Sequence, residues 1–281
     1  MKIVDTHVHA WDPGKLDMPW LDTSPELNRA FMIDQYGDDM ERHGIVSAVY
    51  MEVDVGAGSR EAELEFARTL VESNENPVTA AVLGGCPGED GFDQWMHSLA
   101  DLPWVKGIRH ILHSDSSPPG ACLESRFVDG VGKMGECKLV FDLCQRPGEL
   151  LDGASLARSC PETTIVVDHC GRAQFQVDAD PKWRKGVREL GSLENTVMKI
   201  SGIGELAGDA DLSLQSMAPW FEHMLDCFGS ERLVFGSNWP VDRETRTGLA
   251  WIDWILELVG REGAQVVDSI FHDNAITVYG L

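Results

Sequence analysis

Two periods of apolar residues alternate along this chain. Short β-branched runs read as strands: Ile3 to His9, Ile45 to Val53, Val78 to Leu83, Trp104 to Leu112, Lys138 to Leu143, Thr164 to His169, Thr196 to Ser201 and Arg232 to Asn238. Between them, helical spacing predicts helices over Asp34 to His43, Ser59 to Ser73, Phe92 to Leu102, Arg126 to Gly135, Glu149 to Arg158, Lys182 to Leu190 and Gln215 to Phe228, with two more at Gly248 to Val259 and Gly263 to Ile270. Buried strands separated by helices imply parallel βαβ units. Eight of them in 281 residues favour an α/β fold of the (β/α)8 barrel kind, a single domain over 1–281. The segment from Trp11 to Ile33 is the one long irregular connection, and a loop of that length after a first strand is usually functional, which makes Trp20 a candidate pocket wall.

The polar residues of these strands fall at their C-terminal ends, the barrel face that carries active sites. Asp5-Thr6-His7-Val8-His9 closes the first strand, and its period of two turns His7 and His9 to the same side. Paired imidazoles suit metal ligation, or hydrogen bonding to a substrate oxygen with proton transfer near neutral pH. Glu52 ends the second strand, Arg109 lies in the second half of the fourth, Asp142 near the end of the fifth, His169 at the end of the sixth, Ser201 at the end of the seventh and Asn238 at the end of the eighth. A guanidinium at such a place needs an anion, so Arg109 should meet a substrate carboxylate, or else Glu52 or Asp142. His43, His97, His110, His113 and His223 read as surface or structural, and His272 with Asp273 as part of the outside or bottom of the barrel.

Charge and cysteine usage narrow the function. The formal charge of −23, from 46 acidic and 23 basic residues, would repel a phosphate backbone and excludes nucleic acid as an expected substrate. Seven scattered cysteines without a Cys-x-x-Cys pair indicate neither a disulfide framework nor a zinc knuckle. With no signal-peptide pattern and no long apolar stretch, the expected location is the cytoplasm, with a small molecule as ligand, no membrane partner, and a homo-oligomer left open.

The assembled motifs resemble the amidohydrolase superfamily, within it the amidohydrolase-related proteins that include sugar lactonases and the pyrone-dicarboxylate lactonase. The residues that carry the likeness are Asp5-Thr6-His7-Val8-His9, Pro19-Trp20-Leu21, Gly107-Ile108-Arg109, Asp168-His169-Cys170-Gly171, Lys199-Ile200-Ser201-Gly202 and Phe235-Gly236-Ser237-Asn238-Trp239-Pro240-Val241. The resemblance implies a barrel hydrolase that opens a small lactone. His7, His9 and His169 match three histidines that bind a divalent metal in some members and contact substrate in others. The usual strand-eight aspartate, the base for the hydrolytic water, is Asn238 here, and a carboxamide takes no proton at neutral pH. The next acid is Asp242, so the expected catalytic set is His7, His9, His169, Asn238 and Asp242, with Trp20, Glu52, Arg109 and Asp142 binding substrate. Asp242 could equally cap the helix that follows it. Without the strand-eight carboxylate no cofactor is expected, and any zinc or manganese would sit on His7, His9 and His169. The other readings are a metal-dependent decarboxylase of the same superfamily and a weakened barrel that binds a sugar acid without turnover.

Overall fold

Eight parallel strands lie in sequence order in one sheet: β1 (Ile3–Val8), β2 (Ile45–Met51), β3 (Val78–Gly84), β4 (Val105–Ile111), β5 (Val140–Cys144), β6 (Ile165–Val167), β7 (Thr196–Ile200) and β8 (Leu233–Phe235). This computed structural model describes residues 1–175, 180–208, 210 and 212–281. Around the sheet run α1 (Gly37–His43), α2 (Arg60–Val71), α3 (Phe92–Ala100), α4 (Ser125–Glu136), α5 (Leu150–Ser159), α6 (Pro181–Gly191), α7 (Leu214–Phe228), α8 (Ala250–Gly260) and α9 (Asn274–Tyr279). The fold is a (β/α)8 barrel. No helix among the described residues is long and apolar enough to cross a membrane.

Because alternate strand residues face opposite ways, the barrel has two apolar cores. The larger lies between strands and helices; the smaller is inside the barrel, where Val49, Met51, Ala80, Val82, Val140, Val166, Val197 and Val234 pack with Tyr279. Local chemistry sets the helix ends. Asp180 accepts the Lys182 N–H ahead of Pro181 at the start of α6, and Ser213 and Ser216 form a reciprocal capping box on α7.

Closure between β8 and β1 relies on side chains as well as backbone. Asn238 N–H donates to the His7 carbonyl at 2.9 Å and His9 N–H to the Trp239 carbonyl at 2.7 Å. Asp5, fully buried, accepts from the backbone N–H of His7 (3.0 Å) and of Ser237 (2.8 Å) through Oδ1, and from the Tyr36 hydroxyl (2.5 Å) through Oδ2. Gly236 permits this approach, since a Cβ there would lie 2.6 Å from the His7 Cβ. The long loop after β1 folds onto the same seam, with Trp11 against Phe31 (ring centroids 5.0 Å apart) and Phe31 and Tyr36 against Trp239 (6.2 and 5.3 Å).

Several boundaries differ from the expectation. His169 and Asn238 lie beyond their strands, because both take left-handed backbone angles (φ 53° and 56°) that no strand allows. The expected 263–270 helix runs only from Ala264 to Asp268; a wider π turn, Ser269–Asp273, then carries Ile270 and Phe271 into the core and leads to α9, which the sequence reading left out. The expected 34–43 helix begins as a tighter turn, Ile33–Tyr36, that sets the Tyr36 hydroxyl on Asp5.

Asp5→Ala strips acceptors from three buried donors across the seam and is expected to destabilise the protein by about 3 kcal/mol. A urea midpoint corresponding to a loss of less than about 1 kcal/mol would show that the seam does not depend on this carboxylate.

Candidate active site

At the C-terminal ends of the strands opens a cavity of about 470 Å³. His9, Glu52, Arg109, His169 and Asn238 reach its wall from the strand ends, Trp11 and Trp20 form an aromatic side, and His113, Arg172 and Glu205 stand towards the rim. Trp20 is fixed there by its indole N–H, which donates to the Val53 carbonyl at 2.8 Å.

Beneath this wall lies a buried charged network. Lys199 donates to Asp142 and forms an ion pair with Asp168, its Nζ 3.1 Å from Oδ1; Arg109 donates through Nε to Asp168 Oδ2 (2.7 Å) and through Nη1 to Glu52 (2.6 Å). Burial pushes the Asp168 carboxyl up, but Lys199 first, then His7 and Arg109, hold it well below the usual carboxylate range. The anion that Arg109 requires is therefore supplied by the protein. Its anionic partners are Glu52, one of the three expected candidates, and Asp168, which was not among them; Arg109 also lines the cavity.

The partners of each imidazole assign its proton. Lys and Arg only donate, and a carbonyl only accepts. Lys199 Nζ lies 3.4 Å from His7 Nδ1, nearer than Asp168 Oδ1 at 3.6 Å, so that nitrogen turns its lone pair to the ammonium and the proton sits on Nε2, which has no hydrogen-bond partner among the described residues. Arg109 Nη2 lies 3.3 Å from His169 Nε2, so His169 is protonated on Nδ1 and donates to Ser201 Oγ at 2.9 Å. His9 donates from Nδ1 to the Met51 carbonyl at 3.0 Å, which leaves the lone pair on Nε2. All three rings are neutral. Burial lowers the pKa of His7 and of His169 well below the usual value, and burial followed by the Arg109 charge lowers that of His9 to about 4.

Two elements at the wall are held in sparsely populated backbone conformations. His169, Cys170, Gly171 and Arg172 form one left-handed turn (φ 52° to 61°), and Asn238 has φ 56°, both features of the kind that clusters at functional sites. Gly202, at φ 67°, passes so close to His169 that a Cβ would lie 2.6 Å from Nδ1. Asn238 is pinned by its amide N–H, which donates to Asp242 Oδ1 at 2.8 Å, and its side chain also hydrogen-bonds His9.

The structure relocates several expected site residues. His7 is fully buried and lies behind the cavity wall, its ring 4.9 Å from that of His9 and 4.5 Å from that of His169. Asp142 lies in the barrel interior between Lys199 and Tyr279 and does not line the cavity. Asp242, considered as a base, is also off the cavity, and both its oxygens are occupied by Asn238 and by the Gly204 and Glu205 N–H groups. It does cap a helix, though the cap falls on the short Ile203–Ala207 turn instead of the one after it. His113, expected to be structural, lines the cavity. Lys199 and Asp168 lie at the centre of the site without being among the expected site residues. A lysine alternating with Val197 and Ser201 on a buried strand was the available signal for the first.

Three donor groups lie within 4.8 Å of one another, those of His7, Asp168 and His169; His9 is not among them. They do not fit a resident divalent ion. Asp168 is shared by two cations, and the same Lys199 and Arg109 face the lone pairs of His7 and His169, so a dication would stand against two fixed positive charges.

A parallel barrel with imidazoles, an arginine and a carboxamide converging on a cavity at its strand mouth has the form of a barrel enzyme. Residues 4–281 match the Amidohydrolase family, and the chain belongs to it. An L-fucono-1,5-lactonase from Burkholderia multivorans is 28% identical over 251 residues, spanning 85% of this chain and 82% of that protein. Among solved structures, Amidohydrolase 2 from Bifidobacterium longum subsp. infantis is similar with a TM-score of 0.77 at 27% identity, covering 100% of this chain and 99% of that one. An amidohydrolase from Burkholderia multivorans, solved with bound zinc, has a TM-score of 0.86 at 21% identity over 100% of both chains, a likeness of fold.

Burial also raises three enclosed acids: Glu63, which accepts the Val53 N–H at 2.8 Å, to about 8, and Asp142 and Asp242 to about 7. From about pH 4.5, where the unfolded carboxyls are ionised, up to the raised values of about 7 and about 8, the folded state alone holds these protons, so stability falls as pH rises and levels off above about pH 8. The melting temperature is expected to drop across that window, and less so in Glu63→Gln. A variant with the same slope as the wild type would remove Glu63 from this effect.

Proposed function

We propose that this chain hydrolyses a small neutral, hydroxyl-rich lactone without a resident metal. The observation that carries the reading is His9: a neutral ring on the cavity wall with Nδ1 committed to the Met51 carbonyl and Nε2 unprotonated, beside the Asn238 side chain. In the proposed reaction, water attacks the lactone carbonyl while His9 Nε2 takes its proton. The negative charge on the carbonyl oxygen is met by the remaining N–H groups of Arg109. The bond from carbon to ring oxygen then breaks, and His9 returns the proton to that oxygen, leaving a hydroxy acid. Asn238, held by Asp242, orients His9 and the water without acting as a base. The lactonase relative supports the reaction class.

Charge supports the choice of substrate. Glu26, Glu52, Asp54, Glu205 and Glu244 line the cavity against Arg109 and Arg172, and both guanidinium groups are already paired, the latter with Glu205 at 3.2 Å. Such a wall disfavours a dicarboxylate and suits a sugar lactone, with Trp11 and Trp20 against its apolar face. The charge of −23 supports a reading without nucleic acid. A cytoplasmic protein, in which each protomer of any oligomer carries its own cavity, completes the reading.

On a panel of aldonolactones and lactones bearing carboxylates, followed with a pH indicator, turnover is expected for the neutral ones, and His9→Ala should lower kcat/KM by roughly 10²-fold or more. Turnover confined to dicarboxylate lactones would defeat the charge argument, and tight binding with no turnover would make the protein a binding barrel. Activity is expected to survive chelation. Because protonated His9 cannot accept the proton from water, kcat/KM should be level near neutrality and fall only as pH drops through about 4. Loss on chelation with recovery on adding zinc or manganese, or an acid limb near the ordinary imidazole value of 6.5, would contradict this mechanism.

A further inference from the structure

Tyr279 is buried at 2% exposure, at the end of α9. The next residue shows which end of the barrel it enters: the Gly280 carbonyl accepts from Lys106, at the start of β4, so the turn lies at the N-terminal ends of the strands, opposite the cavity. From there the Tyr279 ring enters the interior core among Val140, Val166, Val197 and Val234. Its ring centroid is 5.5 Å from Lys199 Nζ, and its hydroxyl donates to Asp142 Oδ1 at 3.0 Å.

That oxygen is also the one Lys199 binds, while Asp142 Oδ2 has no hydrogen-bond partner among the described residues. One hydroxyl thus fixes the carboxylate that fixes the ammonium. The ammonium in turn touches Asp168 Oδ1 at 3.1 Å and His7 Nδ1 at 3.4 Å, and Asp168 continues to Arg109 and so to the cavity wall. Apolar contact alone would be met by phenylalanine in this core; the hydroxyl is the part that touches the charged network.

We propose that Tyr279 is a positioning residue for the active site, whose hydroxyl holds Asp142 so that Lys199 keeps His7 in its Nε2-protonated form and Asp168 in place beneath Arg109. The role in catalysis rests on the lactone hydrolysis proposed above; the coupling of Tyr279 to His7 does not. Without the hydroxyl, Asp142 Oδ1 loses one of its two donors and the carboxylate is free to rotate its unpartnered oxygen towards Lys199. The ammonium then shifts between Asp142, Asp168 and His7.

The test is Tyr279→Phe, which keeps the ring and removes the donor. Two readouts are needed: kcat and KM on the best neutral lactone, and the imidazole 15N resonances of His7 in the substrate-free protein, assigned with His7→Gln. Expected are a fall in kcat of roughly tenfold with KM within about twofold, since the cavity wall is untouched, and displaced His7 resonances. Unmoved His7 resonances overturn the proposal, even if the variant is less stable or less active, because the tyrosine would then be only an apolar plug. If the wild type hydrolyses no lactone, the proposed reaction falls, while displaced His7 resonances would still establish the coupling. Should Tyr279→Phe fail to fold, Asp142→Asn breaks the same link one residue further on, and the same two readouts decide.

Discussion

One carboxylate, that of Asp168, lies between two buried cations, and the rest of the barrel interior is arranged around that contact. An isolated charge in such a place would be driven to neutrality by desolvation. Lys199 and Arg109 keep Asp168 ionised, and Asp142 and Glu52 occupy the far sides of the two cations. Removing any one member leaves another uncompensated, so the network behaves as a unit and single substitutions in it will not add. Barrel strands are ordinarily filled by branched apolar side chains; here the lower half follows that pattern with Val140, Val166, Val197 and Val234, and the upper half is ionic.

The network also decides what the histidines are. An imidazole alone is an ambiguous reagent, with two tautomers and a charge that changes near neutrality. Here a lysine faces one ring, an arginine the second and a backbone carbonyl the third, and each removes the ambiguity. Burial does the rest by suppressing the charged forms. Three residues of one type become an acceptor for a lysine, an acceptor for an arginine and a base on the cavity wall, according to what stands behind them.

The barrel was legible in the sequence because its strands are β-branched runs with polar residues gathered at one end, a pattern set by local periodicity. The cluster of His9, Arg109, His169 and Asn238 followed from that end rule, and these four do share the cavity wall. What local pattern could not reveal was pairing across the barrel. Whether Arg109 meets a substrate or Asp168, 59 positions away, depends on side-chain reach in three dimensions. Asp242 looked like a displaced base because it follows Asn238 closely, yet its carboxylate turns to the Gly204 and Glu205 N–H groups, which belong to a turn too short to leave a periodic trace. His113 looked incidental since it lies past the end of β4, where a loop, not a strand, carries it to the cavity.

The acidic lining of the cavity has a bearing on what happens after chemistry. In the proposed reaction a neutral ring enters and a carboxylate leaves, so the ligand changes sign relative to Glu26, Glu52, Asp54, Glu205 and Glu244 at the moment the ring opens. Walls that are indifferent to the incoming molecule repel the outgoing one. Egress is then driven by the reaction itself, and accumulated hydroxy acid should compete poorly for the cavity, so that the enzyme would work on in the presence of its own product.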